Sequence, residues 1–250
     1  MADALRRFFV PRGSVRARNV TLGPEMAHRL GRVLRLKRGD QIVLTEGGPR
    51  EYEAQITGIS GHAVTALVLR ERAAPPEPEV QLALYQSLIR ANRFDLVLEK
   101  GTELGVARFV PVIAARSVVQ GNGETSSARS ERWQRMVVEA AEQCGRGRLP
   151  RVDAPAAMEE AVRTAGGLKL LPWEGERAQG LPAYLSGLRV RPRLVSVFIG
   201  PEGGFEPEEV EQARVEGAVT VGLGQRILRS ETAGIVACAL VLAGLGEMDG

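Results

Sequence analysis

The sequence predicts an α/β chain in two parts, a small β-barrel followed by a larger domain built on a mostly parallel sheet. Three observations lead there. Residues 6–70 carry period-2 apolar runs separated by Gly-Gly and Ser-Gly turns. Residues 71–79, Glu-Arg-Ala-Ala-Pro-Pro-Glu-Pro-Glu, hold three prolines and little to bury, which makes an extended, semi-rigid connection. Beyond it, short apolar runs alternate with helical periodicities, the pattern of an α/β domain. The boundary is placed at 74/75, giving parts 1–74 and 75–250. A chain of 250 residues, 44% of them hydrophobic, can bury two modest cores.

In the first part, strands read at residues 7–10, 41–45, 51–56 and 63–69. One helix interrupts them, because Met26, Leu30, Val33 and Leu34 recur at i, i+4, i+7 and i+8 and leave His28, Arg29, Arg32 and Arg35 on other faces. In the second part a strand at 80–85 precedes a helix at 93–103 closed by Gly105, and a strand follows at 109–113. Residues 130–144 give the clearest helix, with Trp133, Met136, Val137, Ala140, Ala141 and Cys144 in one buried stripe. Short buried strands then read at 168–171, 194–199 and 218–221, and Ser230 is placed as the cap of a final helix. That helix is apolar almost all round over residues 235–245, which requires burial against the sheet, a second subunit, or both. The loop at 121–130 is the one polar enough to be mobile.

Composition excludes several classes. No run of 18 apolar residues avoids charge, and Met1-Ala2-Asp3-Ala4-Leu5-Arg6-Arg7 lacks an apolar signal core, so the expected location is the cytoplasm, with no membrane partner. Cys144 and Cys238 form no C-x-x-C pair, and with only His28 and His62 beside them they read as two reduced core cysteines, with no metal site.

The net charge of +3 conceals an asymmetry: residues 1–75 hold 13 Lys and Arg against 7 Asp and Glu, and the rest 20 against 23. Such density near the start suits phosphate neutralisation. Only three basic residues are Lys, and genome composition or heat tolerance is the rival explanation of such an Arg bias. The candidate RNA contacts are Arg6, Arg7, His28, Arg32 and Arg35. Arg90, Arg93 and Lys100 extend the track into the second part, although Glu99 and Glu103 also fit Lys100 as helix-surface partners.

Three glycine-bearing segments each follow a predicted buried strand: Leu171-Pro172-Trp173-Glu174-Gly175-Glu176, Gly200-Pro201-Glu202-Gly203-Gly204-Phe205 and Gly222-Leu223-Gly224-Gln225-Arg226-Ile227-Leu228-Arg229. Loops at the carboxyl ends of parallel strands are where open α/β sheets bind ligands, and glycine lets the backbone approach them. None has the spacing of an ATP or NAD phosphate loop. Backbone groups there can instead bond an adenine and a ribose, although such runs also make plain turns.

Four motifs taken in order carry a resemblance. They are Lys100-Gly101-Thr102-Glu103-Leu104-Gly105-Val106; Glu131-Arg132-Trp133 with Glu139-Ala140-Ala141-Glu142-Gln143-Cys144; Ile199-Gly200-Pro201-Glu202-Gly203-Gly204-Phe205; and Leu223-Gly224 with Arg226-Ile227-Leu228-Arg229-Ser230-Glu231-Thr232-Ala233. Together they resemble the RsmE family of the SPOUT superfamily, uridine N3-methyltransferases of 16S ribosomal RNA. Arg7-Phe8-Phe9-Val10 and residues 28–35 fit the family's N-terminal segment more loosely.

The resemblance implies a PUA-like RNA-binding barrel and an α/β domain with a deep trefoil knot. It also implies S-adenosylmethionine as methyl donor, a homodimer, and 16S ribosomal RNA in the small subunit as substrate. Carried over by motif, the donor pocket comprises Leu171, Glu174, Ile199, Gly200, Pro201, Glu202, Gly203, Leu223, Gly224, Ile227, Leu228 and Thr232.

Uracil N3 carries a proton, so methylation needs a base near it and a cation near the oxygens that take up charge. Arg229 is the expected cation, with an ion pair to Glu231 as its structural alternative. Glu202 is the base candidate, and it fits equally well a role in binding a backbone amide or an Arg. Two rivals stand beside this reading: methylation of a ribose, another ribosomal position or a transfer RNA, and a non-catalytic RNA-binding assembly factor.

Overall fold

The computed structural model describes residues 5–117 and 126–249. It divides into two units, each described by itself: Met1–Glu77 with Ala141–Leu149, and Pro78–Ala140 with Pro150–Gly250. The division falls three residues beyond the expected boundary, and a distant segment joins the first unit.

Alternating side chains build the first unit. Strands β1 (Arg6–Phe9), β2 (Asn19–Leu22), β3 (Gln41–Thr45), β4 (Arg50–Ile59) and β5 (Val64–Ala73) form one sheet in the order β1-β3-β4-β5-β2. β1 and β3 are parallel and the other neighbours antiparallel. Register shifts at Glu53/Ala54 and Ile56/Gly58 bend the long β4–β5 pair, as an extra residue in one strand does. Phe8, Val20, Leu30, Ile42, Leu44 and Ile56 fill the core of this barrel-like sheet. Its edge strands β1 and β2 are not among each other's ladder partners. The added segment is bonded into the unit: Glu142 accepts from Phe9 N–H at 3.0 Å and from the Arg29 guanidinium. Glu77, in the expected proline-rich connection, accepts from Gly147 N–H at 3.1 Å and Arg148 N–H at 3.0 Å.

Two expectations change here. The helix after β2 is not regular: α1 (Pro24–Ala27) runs into a π-helix at His28–Val33, where Leu34 N–H donates to Arg29 C=O at 3.0 Å. The wider turn breaks the 3.6-residue phase. Val33 is therefore 62% exposed rather than buried, and Ala27 and Leu30 face the core. Arg7 is the second correction. Its side chain is buried, 2.6 Å from Glu51 and donating to Arg146 C=O at 3.2 Å, so it is a structural cation and not a surface available to RNA. Strand alternation explains this, since Arg7 and Arg6 point to opposite faces.

After β5 come β6 (Gln81–Ser87), α2 (Ala91–Leu104), β7 (Arg108–Ile113), α3 (Ser126–Cys144, its end from Ala141 on belonging to the first unit), β8 (Arg151–Val152), β9 (Ala156–Ala157) and α4 (Met158–Thr164), which lead to β10 (Leu168–Pro172). Then come α5 (Leu181–Ser186), β11 (Leu194–Ile199), α6 (Pro207–Val215), β12 (Val219–Val221) and α7 (Ser230–Gly244). The strands form a parallel sheet in the order β12-β10-β11-β6-β7-β8, with β9 also on β7. One core, around Leu84, Phe94, Trp133 and Val241, and another, around Tyr85, Leu171 and Phe198, use the alternate side chains of the strands. This is the parallel sheet with flanking helices that the resemblance implied. No described helix is long and apolar enough to cross a membrane.

Three further readings are revised. Ser126–Ser130 begin α3 instead of a polar loop, and residues 121–125 of that loop lie outside the described residues. Cys144, in the last turn of α3, is exposed, because the helix ends there; Cys238 is fully buried, which pushes its thiol up to about 12. Arg229, not Ser230, occupies the N-cap of α7, and the Ser230 hydroxyl has other partners.

Glu51 is 1% exposed and is the carboxylate of the buried Arg7. Glu51→Gln should lower unfolding free energy by about 3 kcal/mol, because it leaves a buried cation without its counter-charge. Urea unfolding measures this, and a loss below about 1 kcal/mol would place the pair with ordinary surface ion pairs.

Candidate functional site

β12, β10 and β11 are neighbours and parallel, so their carboxyl ends, Val221, Pro172 and Ile199, lie at one edge of the sheet. The three loops that leave them converge there, where ligands of open α/β sheets bind. Together with Arg93 of α2 and the first turn of α7 they line a cavity of about 1030 Å³.

The loop after β10 straddles the exit of β12. Trp173 N–H donates to Val221 C=O at 3.0 Å, Gly222 N–H to Gln179 C=O at 2.8 Å, and Leu181 N–H to Gly222 C=O at 2.9 Å. A Cβ on Gly222 would stand 2.9 Å from Glu176 C=O, so the close passage requires glycine. Glu176 organises the loop interior, accepting from Ala178 N–H at 2.9 Å, Gln179 N–H at 3.3 Å and the Thr220 hydroxyl at 2.9 Å. The Ala178 amide foremost, then Thr220, holds its carboxyl below the usual range against the opposing effect of burial. Arg214 lies 3.8 Å from this carboxylate and 5.6 Å from the centre of the Trp173 ring, bracing loop and ring together.

The loop after β11 turns through Gly204 at φ +70°, where a Cβ would lie 2.5 Å from Glu174 Oε1. Arg116 donates to Gly203 C=O at 3.0 Å from outside the turn. Ser230 donates to Gly200 C=O and accepts from Gln86 Nε2 at 2.8 Å, which ties this loop to α7 and β6. Arg93 stands 3.5 Å from Glu202 and 3.7 Å from Glu231.

Of the residues expected at the site, Glu174, Ile199, Gly200, Pro201, Glu202, Gly203, Leu223, Gly224, Ile227, Leu228 and Arg229 all line the cavity. Two do not. Leu171 is fully buried in the core beside Phe198, because the cavity begins only where β10 ends at Pro172. Thr232 is exposed on α7 and is not among the lining residues, whereas Ser230 and Ala233, three apart, share the facing side of the helix. Glu202 meets both alternatives weighed for it, an Arg and a backbone amide, the latter Arg90 N–H at 3.5 Å.

The alternative weighed for Arg229, an ion pair with Glu231, is not formed among the described residues, where Glu231 faces Arg93. Arg6, His28, Arg32 and Arg35 are exposed on the first unit, and Arg90 on the second. Lys100 lies between Glu99 and Glu103, each 2.8 Å away, and their hydrogen bonds raise its pKa. Sequence reasoning missed Trp173, Arg177, Gly180 and Gln225 as lining residues and assigned Arg93 only to the RNA track. Trp173 and Arg177 stood within or beside a quoted glycine segment, while only the sheet brings Arg93 there.

Ile199, Leu223 and Leu228 supply apolar walls, the glycines expose main chain, and Glu174, Glu202, Arg177, Arg226 and Arg229 supply charge. Such a cavity suits a nucleoside-sized ligand with room for a second planar group.

The model of an RNA methyltransferase domain matches residues 76–242, and that of an RNA methyltransferase PUA domain matches residues 27–69. Ribosomal RNA small subunit methyltransferase E of Bacillus subtilis is 32% identical over 223 residues, covering 87% of this chain and 87% of the relative. Its counterpart from Synechocystis is 35% identical over 227 residues, covering 90% and 73%. The structure of a ribosomal RNA small subunit methyltransferase E from Neisseria gonorrhoeae bound to S-adenosyl methionine superposes with a TM-score of 0.85 at 30% identity, covering 96% and 98%.

Two outcomes follow from the loop geometry. Gly204→Ala forces a side chain into a left-handed backbone against Glu174, and should lower both Tm and ligand affinity, read by calorimetry. Glu176 has a depressed folded pKa, so its stabilisation is present above the ordinary carboxylate pKa and lost as pH falls through the folded value. The Tm deficit of Glu176→Gln should therefore be full at pH 6–8 and shrink below about pH 4. A deficit that stayed constant to pH 2 would point to packing instead of charge.

Proposed function

Because this chain belongs to the ribosomal RNA small subunit methyltransferase E family, we propose that it transfers a methyl group from S-adenosylmethionine to N3 of uridine 1498 in 16S ribosomal RNA. The observation that carries this reading is the convergence of three glycine loops and Arg229 on one cavity. The donor's sulfonium supplies an electrophilic methyl group. Its nucleoside would be held by Ile199, Gly200, Leu223 and Leu228, whose apolar surfaces and main-chain groups suit an adenine and a ribose. Glu174 and Glu202 at the cavity would complement its positive charge.

The chain's own part is orientation and charge. Holding both reactants in one geometry removes much of the entropic barrier. Arg229, exposed at the cavity and without an ion-pair partner among the described residues, would stabilise the negative charge spread over the uracil oxygens as N3 loses its proton. Glu202 is the proposed acceptor of that proton. The exposed cations of the first unit, Arg6, His28, Arg32 and Arg35, would hold the RNA through its phosphates, and Arg90 and Lys100 are the proposed RNA contacts of the second unit. The assembled small subunit is the proposed substrate. A homodimer belongs to the same reading: Ile227 is 89% exposed, and Ile235 and Val236 of α7 are only half-buried, giving apolar surface for a second copy.

The test is transfer of labelled methyl from S-adenosylmethionine to small subunits lacking native methylation, followed by nucleoside analysis. The expected product is 3-methyluridine; label on a ribose or on another base would overturn the N3 assignment. Arg229→Ala should lower kcat about 100-fold while changing donor affinity only a few-fold. Light scattering at micromolar concentration should give twice the chain mass.

A further inference from the structure

Arg93, in the first turn of α2, stands between two carboxylates and closes on neither. Its guanidinium lies 3.5 Å from Glu202 Oε1, and Arg90 N–H reaches the same oxygen at 3.5 Å, both longer than a well-formed hydrogen bond. On its other side Arg93 Nε is 3.7 Å from Glu231 Oε1. The pairs that hold structure in this chain are tighter, as in Arg7–Glu51 at 2.6 Å and Arg146–Glu77 at 2.5 Å.

Glu231 is the less expected of the two carboxylates. It is 7% exposed, and its Oε2 is buried with no hydrogen-bond partner among the described residues. A buried charged oxygen without a partner costs stability. The N-terminal end of α7, where Glu231 sits in the first turn, offsets part of that cost. The remainder is accounted for if Oε2 is half of a seat that Arg93 fills in one state of the enzyme, since a guanidinium can take both oxygens of a carboxylate at once. The Ser230–Gly200 bond keeps the two carboxylates in register, because Glu231 follows Ser230 and Glu202 lies two residues beyond Gly200.

We propose that Arg93 is a positioning residue with two seats: it holds Glu202 in the free enzyme and moves onto Glu231 when the target base enters, releasing Glu202 to take the N3 proton. The inference rests on the N3-methylation reading and on Glu202 as its proton acceptor. A carboxylate facing a guanidinium is favoured in its ionised form and is the poorer base, so an acceptor works better once that neighbour has left. In the reaction N3–H breaks as its proton passes to Glu202, and the N3 electron pair forms the bond to the donor methyl. The methyl–sulfur bond breaks toward sulfur, leaving a neutral thioether. Arg93 keeps its own proton throughout and changes only which carboxylate it neutralises.

The experiment measures donor Kd by calorimetry and single-turnover methyl transfer to small ribosomal subunits lacking native methylation. It compares wild type, Glu231→Gln, Arg93→Gln, Arg93→Lys and the double variant Arg93→Gln/Glu231→Gln, with thermal unfolding as the check on folding. Glu231→Gln removes the charge of the second seat and leaves Arg93 on Glu202. Transfer should slow about tenfold, with donor Kd changed by no more than about twofold. Arg93→Gln should slow transfer only a few-fold, through lost positioning, and Arg93→Lys should recover part of that loss. The double variant should be faster than Glu231→Gln alone, because no cation then occupies Glu202. In a Glu202→Gln background, Glu231→Gln should slow transfer no further.

A double variant as slow as Glu231→Gln, or slower, would overturn the two-seat arrangement, since a purely structural Glu231 gains nothing from the loss of Arg93. Wild-type transfer by Glu231→Gln would overturn it as well. Should Glu231→Gln fail to fold, equal rates for Arg93→Lys and Arg93→Gln would overturn the positioning role. Wild type that forms no 3-methyluridine would overturn the methylation reading and this inference with it. Wild type that forms it, while the double variant gains nothing, would overturn this inference alone.

Discussion

The cavity depends on a main-chain clamp at Gly222. Its N–H and C=O bond Gln179 and Leu181, so the loop after β10 is fixed across the exit of β12. The clamp works only because Gly222 has no side chain to meet Glu176 C=O. Being made of backbone bonds, it is insensitive to salt, unlike the ion pairs around it. Once this crossing is fixed, the first and third loops share a wall, and the second loop, leaving the adjacent parallel strand, closes the cavity. Ser230 then fastens that second loop to the start of α7. The cavity walls are therefore fixed by the chain's own bonds, and a preformed site avoids the cost of ordering loops on binding.

Electrostatics divides the many arginines into two populations. In the first unit Arg7, Arg29 and Arg146 are bound to Glu51, Glu142 and Glu77, where a forked guanidinium joins a strand or helix to a distant segment. In the second unit Arg116 and Arg214 brace the cavity loops from behind. Arg177, Arg226 and Arg229 line the cavity and are exposed, with no carboxylate partner among the described residues. A guanidinium stays charged under all ordinary conditions, so the placing of carboxylates decides which arginines face a ligand. Charge density in the sequence could not separate Arg6 from Arg7, because strand alternation buries one and exposes its neighbour.

The elements most legible in the sequence were those with strong local causes. Gly105 ends α2 in a left-handed conformation, as its place after the apolar run required. The buried strands at 168–171, 194–199 and 218–221 appear within a residue or two, since continuous apolar runs between turns have few alternatives in a two-sided sheet. The glycine loops that line the cavity were legible for the same reason, their pattern being local. Less legible was anything set by phase or by distance. Val33 obeyed a 3.6-residue count until the π-turn changed the count. The start of α3 at Ser126 lacks apolar periodicity, and Ser230 looked like a cap because its hydroxyl partners, Gln86 and Gly200, are distant in sequence.

By itself the sequence determined the two-part order, the parallel α/β character of the second part, the family and most of the cavity's lining, because each follows from local pattern or from ordered motifs. Tertiary structure alone decided that Ala141–Leu149 belongs with the first unit, that Leu171 is core and Thr232 turns away, and that Arg93 reaches the cavity from a different helix. It also decided that Gly222 is clamped within the loop after β10. These outcomes rest on which strands become neighbours and on which carboxylate meets which cation. Such pairings join residues far apart in the chain, and no local periodicity encodes them.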